Sequence, residues 1–321
     1  MAPSPLGYTP SDRVGVALDL DGTAYRDGSV FVETMAYLSV GASTLDLDGV
    51  DRERLRTAVL AVARYRGGER TRRRWSRALR ALSVAGSLAG PTVAGEALER
   101  LSRLRAGRTG RGRPTSAPDD PGGLDYDGMR RRTLGGYGAF LRGRAPATVE
   151  RATDRVVRER LPTDGRLRAA LGRVRAAGGE TAFVSDAPAH LVRSHAGTLT
   201  DDPPVRATEF EVDAGRYTGD YEPVDKRAAL GSLREARGWD YVVAAGDSSA
   251  DAAMAEIADC FLAVDGQGDG RRRFAGSDPV ALTDPASLRR SLGPDRRAVG
   301  VGPDEAVGDA LVTVLRAAGV F

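Results

Sequence analysis

From residue 165 to residue 264 the chain alternates short apolar runs with helix-length amphipathic stretches, and this alternation constrains the fold more than any other feature. ETAFVS (180–185), YVVAAG (241–246) and FLAV (261–264) carry no charge beyond an end position, as expected of parallel strands buried on both faces. Between them lie RLRAALGRVRAAGG (166–179), a helix stopped by glycine, and helical stretches at 225–237 and near 249–258. VRATEFEVDAGRYTGDY (205–221) alternates around a DAG turn and reads as a hairpin or ribbon. VGVALD (14–19) is a further buried-strand run, and the tail adds a strand at 279–283 and a helix at 304–319. The pattern predicts an α/β fold with a doubly wound, Rossmann-like parallel sheet.

The first strand is separated from the rest by a different kind of sequence. DRERLRTAVLAVARY (51–65) and GEALERLSRLRA (95–106) are arginine-rich with helical spacing, and helical character returns over 129–160. TGRGRPTSAPDDPGGLDYDG (109–128) is rich in Gly, Pro, Ser and Asp and reads as a mobile loop, taken as 107–128. The expected organisation is an α/β core of 13–26 and 162–321, interrupted by a helical insert at 27–161.

Composition excludes several classes. One cysteine, Cys260, forbids an internal disulfide, and its place in CFLAV suits a buried thiol. Two histidines, His190 and His195, cannot hold zinc without carboxylates, and ordinary packing or surface placement is the simpler reading for both, ahead of contact with substrate. A net charge of +3 is small for a nucleic-acid binder, although RTRRRW (70–75) and MRRR (129–132) are basic; these read as solvated helix faces. The first residues lack the pattern of a secretory leader, and 81–98 is too broken to span a membrane. A cytoplasmic protein, monomer or homodimer, is expected.

Four stretches stand at or just beyond the carboxyl ends of predicted strands: DLDGT (19–23), FVSDAP (183–188), VDKRA (224–228) and GDSSAD (246–251). Strand ends of an open parallel sheet gather at one edge, so the set converges. Clustered carboxylates repel unless a cation neutralises them, and hard oxygen donors without histidine or thiolate suit Mg2+. A serine and a lysine beside such a site can hold phosphate oxygens. The lysine is notable because Lys226 is the one lysine among 47 basic residues. A compact ammonium is not replaceable by a guanidinium fork. Each stretch alone has a plain reading: DxDG as a turn, Ser185 as a strand-end residue, and GDSSAD as a helix start capped by Ser248 or Ser249.

Together and in this order, the stretches resemble the four motifs of the haloacid dehalogenase superfamily. VSDAPAHLV, VDKRAAL and AAGDSSADAAMAEIA are similar to its phosphoserine-phosphatase-like branch. The resemblance implies a magnesium-dependent phosphomonoester hydrolase acting on a small phosphorylated metabolite, with the insert as a helical cap that selects substrate. By that resemblance Asp19 is the nucleophile that becomes an aspartyl-phosphate and Asp21 the general acid and base. Gly22 lets the backbone curl so that both carboxylates address one phosphate, with Thr23 supporting the loop. Ser185 and the Asp186 amide bind phosphoryl oxygens, Lys226 bridges phosphate and nucleophile, and Asp19, Asp21 (through its carbonyl), Asp247 and Asp251 attend the metal. Where phosphoserine enzymes carry a glutamate and an asparagine against the amino acid, this chain has Gly28 and Ala250. Phosphoryl transfer to another acceptor, a non-catalytic binding protein on the same fold, and RNA or nucleotide end processing stand as alternatives.

Overall fold

A computed structural model describes residues 9, 13–25, 29–41, 59–60, 126–248, 250–264, 279–292, 297–302 and 304–321. Contacts divide the chain into two compact units, one of Met1–Asp27, Pro162–Ala207 and Val224–Phe321, the other of Gly28–Leu161 and Thr208–Pro223.

The first unit is built on a parallel sheet. Strands β1 (Val14–Leu18), β5 (Tyr241–Gly246) and β6 (Cys260–Val264) are buried at every position, as uncharged runs covered on both faces must be. β2 (Glu180–Pro188) and β5 flank β1 in parallel, β6 follows β5, and β8 (Ala298–Val301) and β7 (Val280–Ala281) complete that side. The chain therefore leaves β1 towards β2 on one side and returns to β5 on the other. The reversal of direction opens a crevice at the carboxyl end of β1. Asp19 is the next residue, and its amide donates to the Ala245 carbonyl at 2.9 Å.

Helices cover the sheet and end where their sequences say they should. Helix α4 (Gly165–Ala176) is capped by Asp164, which accepts from the Arg166 and Leu167 amides. Helix α5 (Ala189–Leu199) follows Pro188 directly. Helix α6 (Lys226–Arg237) starts at the Asp225 cap and stops at Gly238, whose φ of +63° is left-handed. Its apolar face, with Ala229, Leu230 and Leu233, packs with Trp239, Val242 and Phe261. Short helices α7 (Ala252–Ala255) and α8 (Pro285–Ser291) precede α9 (Val307–Ala318). α9 buries Val307, Leu311, Val314 and Leu315, so the terminal helix docks on its own unit. Gly308 allows close approach, because a Cβ there would lie 2.6 Å from the Arg166 carbonyl group.

The second unit contains α1 (Val30–Gly41), α2 (Tyr126–Leu141) and α3 (Pro146–Arg160). It also holds most of the antiparallel hairpin β3 (Val205–Asp213) and β4 (Arg216–Glu222). Ala214 (φ +47°) and Gly215 (φ +74°) form the hairpin turn, both left-handed as a type I′ turn requires. Phe31, Tyr137, Phe140 and Phe210 form an aromatic core, Tyr137 meeting Phe31 and Phe210 edge to face.

The structure differs from the sequence reading at several elements, and the hairpin segment Thr208–Pro223, expected with the core of 162–321, groups with the second unit. Helix α2 begins at Tyr126, inside the expected loop 107–128. The segment expected as a helix near 249–258 keeps regular helix over four residues, because Asp251 is drawn into the turn before it. β8 and α8 were not expected. The helices expected at 95–106 and over most of 51–65, the run 70–75, the loop at 107–125, Gly28 and Ser249 lie outside the described residues; residues 59–60 are helical. Of MRRR, Arg131 and Arg132 are exposed and Arg130 half-buried. No helix among the described residues is long and apolar enough to cross a membrane.

Candidate active site

The carboxyl ends of β1 and β5 and the start of α6 bring one ammonium among three carboxylates. Lys226, 5% exposed, places Nζ 2.9 Å from Asp19 Oδ1 and 2.5 Å from Asp251 Oδ1, with Asp186 Oδ2 at 3.8 Å. Its position at the first turn of α6, behind the Asp225 cap, turns the side chain inward. Asp19 is 4% exposed and Asp251 fully buried. Such groups are tolerated only when paired and hydrogen-bonded. Asp251 meets that condition: Oδ2 accepts from the Asp247 and Ser248 amides at 3.2 and 2.9 Å and from the Ser248 hydroxyl.

Asp19, Asp247 and Asp251 each offer an oxygen within 4.8 Å of the others. Burial raises the Asp19 carboxyl well above its usual range, and the charge of Asp251 and then of Asp247 raises it further; Lys226 opposes this and does not cancel it. Three hard oxygen donors at this spacing fit a small divalent cation, whose charge would favour the ionised form of Asp19 that burial and the neighbouring carboxylates disfavour.

The loop after β1 is a tight knot. Ala24 N donates to Asp19 O at 3.2 Å, Tyr25 N to Leu20 O at 2.8 Å, and Gly22 N to Tyr25 O at 2.9 Å. Gly22 has φ +89°, and a Cβ there would sit 2.0 Å from Asp247 Oδ2, so the loop admits only glycine. Gly246 is equally constrained, since a Cβ would meet Asp251 Cβ at 2.2 Å. Asp21 is half-buried and bridges to Tyr25 in this knot. Thr23 is buried, and its hydroxyl finds no partner among the described residues.

Ser185 lies within β2, which runs on to Pro188 rather than stopping at 185. Its buried Oγ accepts from the Ala187 amide at 3.4 Å.

This order of motif residues along a parallel sheet has a counterpart among known families: residues 92–256, just over half of the chain, match the haloacid dehalogenase-like hydrolase family. The chain belongs to that family. The matched stretch carries Ser185, Lys226, Asp247 and Asp251; Asp19 and Asp21 precede it. No curated protein matches by sequence. A family hydrolase from Salmonella enterica is 16% identical with a TM-score of 0.43, covering 81% of this chain; the chain spans 65% of that protein's length. A probable phosphoserine phosphatase from Vibrio cholerae is 14% identical with a TM-score of 0.47, over 99% of this chain and 68% of that one. A phosphoserine phosphatase in a phospho-aspartyl intermediate analogue form is 13% identical with a TM-score of 0.44, over 94% and 99%.

In this family member the Asp186 carboxylate reaches the Lys226 neighbourhood, its Oδ2 lying 3.8 Å from Nζ. Motif reading missed this, because it treated position 186 as a backbone donor. Ser248 as a clamp on Asp251 was equally hidden, although S-x-x-D spacing across a turn is a signal for it. The Cys260 thiol is buried and pushed up to about 12, with burial the main cause, so it takes no part.

Proposed function

We propose that the protein is a magnesium-dependent phosphomonoester hydrolase that works through an aspartyl-phosphate at Asp19. The observation that carries this reading is Lys226 Nζ, buried and held within 3.8 Å of Asp19, Asp186 and Asp251. Among the described residues one ammonium faces more carboxylates than it can neutralise, which favours a cation bound beside them.

Asp19 Oδ attacks phosphorus while the bond to the leaving alcohol oxygen breaks, and Asp21 gives that oxygen its proton. Asp21 then takes a proton from water. The water oxygen attacks phosphorus, and the Asp19 carboxylate and inorganic phosphate are released. Lys226 offsets the charge that builds as anion meets anion. Ser185 Oγ and the Asp186 amide hold phosphoryl oxygens through both steps. Asp19, Asp247, Asp251 and the Asp21 carbonyl would hold the Mg2+. That ion, when bound, supplies positive charge to the phosphoryl oxygens and keeps Asp19 ionised.

The insert 27–161 is read as the segment that selects among small phosphorylated metabolites. Ala250 offers no side-chain hydrogen bond where phosphoserine enzymes use asparagine, so phosphoserine is one candidate and not the assigned substrate. The test is a panel of phosphometabolites, with phosphoserine and p-nitrophenyl phosphate included, on wild type and Asp19→Asn. Hydrolysis that needs Mg2+ and disappears in Asp19→Asn is expected. A folded protein without metal-dependent turnover on any member overturns the reading.

A further inference from the structure

Neither ring nitrogen of His195 has a hydrogen-bond partner among the described residues, although the side chain is fully buried. Burial lowers it to about 4, so the imidazole is neutral at ordinary pH. A buried, unpartnered polar ring is unfavourable where an aliphatic side chain would pack as well. Among the described residues its ring meets Tyr25: the rings stand edge to face, centroids 5.4 Å apart at 89°. Tyr25 is itself 6% exposed and closes the knot after β1. Its amide is donated to Leu20 and its carbonyl takes the Gly22 amide, so its backbone grips both sides of Asp21. An edge-to-face contact fixes a ring's orientation in a way an aliphatic neighbour does not.

We infer that His195 is a positioning residue: through the Tyr25 ring it sets the loop that aims Asp21. The inference rests on Asp21 acting as general acid and base, and the imidazole transfers no proton. It places the aim of the acid under the control of α5, the helix that follows Ser185 and Asp186 on β2.

The experiment compares His195→Phe, which keeps an aromatic ring, with His195→Leu, similar in bulk, and His195→Ala. Two readouts are taken: kcat and KM for p-nitrophenyl phosphate with Mg2+, and hydrogen exchange at the Gly22 and Tyr25 amides. His195→Leu and His195→Ala are expected to lower kcat by about tenfold with KM nearly unchanged. Exchange at both amides is expected to accelerate. His195→Phe is expected to restore both readouts towards wild type with the pH profile unmoved. If His195→Ala does not fold, the Leu and Phe variants decide. Equal kcat and equal amide exchange in the Leu and Phe variants would overturn the inference, as would loss of a pH limb in His195→Phe. Absence of turnover in wild type would defeat the phosphatase reading alone, since amide exchange still reports on the brace.

Discussion

Replacing Lys226 probes the site at its electrostatic centre. At 2.9 Å from Asp19, and with an effective dielectric near 20, the Coulomb attraction is about 6 kcal/mol, with a further contribution from Asp251. Desolvating a side chain only 5% exposed offsets much of this, so the pair's net worth is smaller. Removing one partner is another matter, because the carboxylates stay behind. Lys226→Met is therefore expected to cost about 3–5 kcal/mol at neutral pH in metal-free protein, read by denaturant unfolding. Lys226→Arg keeps the charge, so its stability should stay within about 2 kcal/mol of wild type. A longer planar fork cannot put one compact charge beside Asp19, Asp186 and Asp251 together. Its kcat on p-nitrophenyl phosphate should fall by about a hundredfold or more. Turnover in Lys226→Arg within about threefold of wild type would refute the argument for a compact ammonium.

Three further outcomes follow from the same geometry. Asp19 is raised in the fold, so its ionisation withdraws stability as pH climbs from the unfolded value near 3.8 through the folded one. Without metal, Asp19→Asn should melt higher than wild type at neutral pH, and added Mg2+ should raise the wild-type melting temperature more than the variant's. His195 falls from 6.5 to about 4, so the fold favours its neutral form, and stability held above pH 6.5 is lost as pH drops towards 4, by about 3 kcal/mol. His195→Phe should flatten that part of the stability-pH curve relative to wild type. Gly22→Ala meets both a left-handed φ and the Asp247 carboxylate, and should lower stability by about 1–3 kcal/mol and abolish most turnover, read by melting and kcat.

What the sequence made legible was whatever double burial or local capping dictates. YVVAAG matches β5 residue for residue, because a strand covered on both faces cannot hide its lack of charge. The 225–237 helix was readable from its Asp cap and closing glycine. AVGV at 298–301 was not: four residues broken by glycine resemble any loop, and their pairing with β6 supplies the strand. Asp284 capping α8 through the Ala286 and Ser287 amides was a local signal that went unread. At the site, Asp19 and Lys226 are 207 residues apart, and only the rule that strand ends converge could bring them together. That rule says nothing of angles, so the Asp186 carboxylate beside Lys226 and the His195 ring against Tyr25 required coordinates. Nor could alternation in 205–221 say that Thr208–Pro223 packs with the second unit.

The central claim is a covalent bond between Asp19 and phosphorus. Wild-type protein turning over substrate with Mg2+ is quenched and treated with borohydride, which reduces an acyl phosphate to the alcohol, and the peptide containing Asp19 is then sequenced by mass spectrometry. Homoserine at position 19, absent without substrate and absent in Asp19→Asn, is the expected result. Steady hydrolysis with position 19 unmodified, or modification at another carboxylate, would contradict the account.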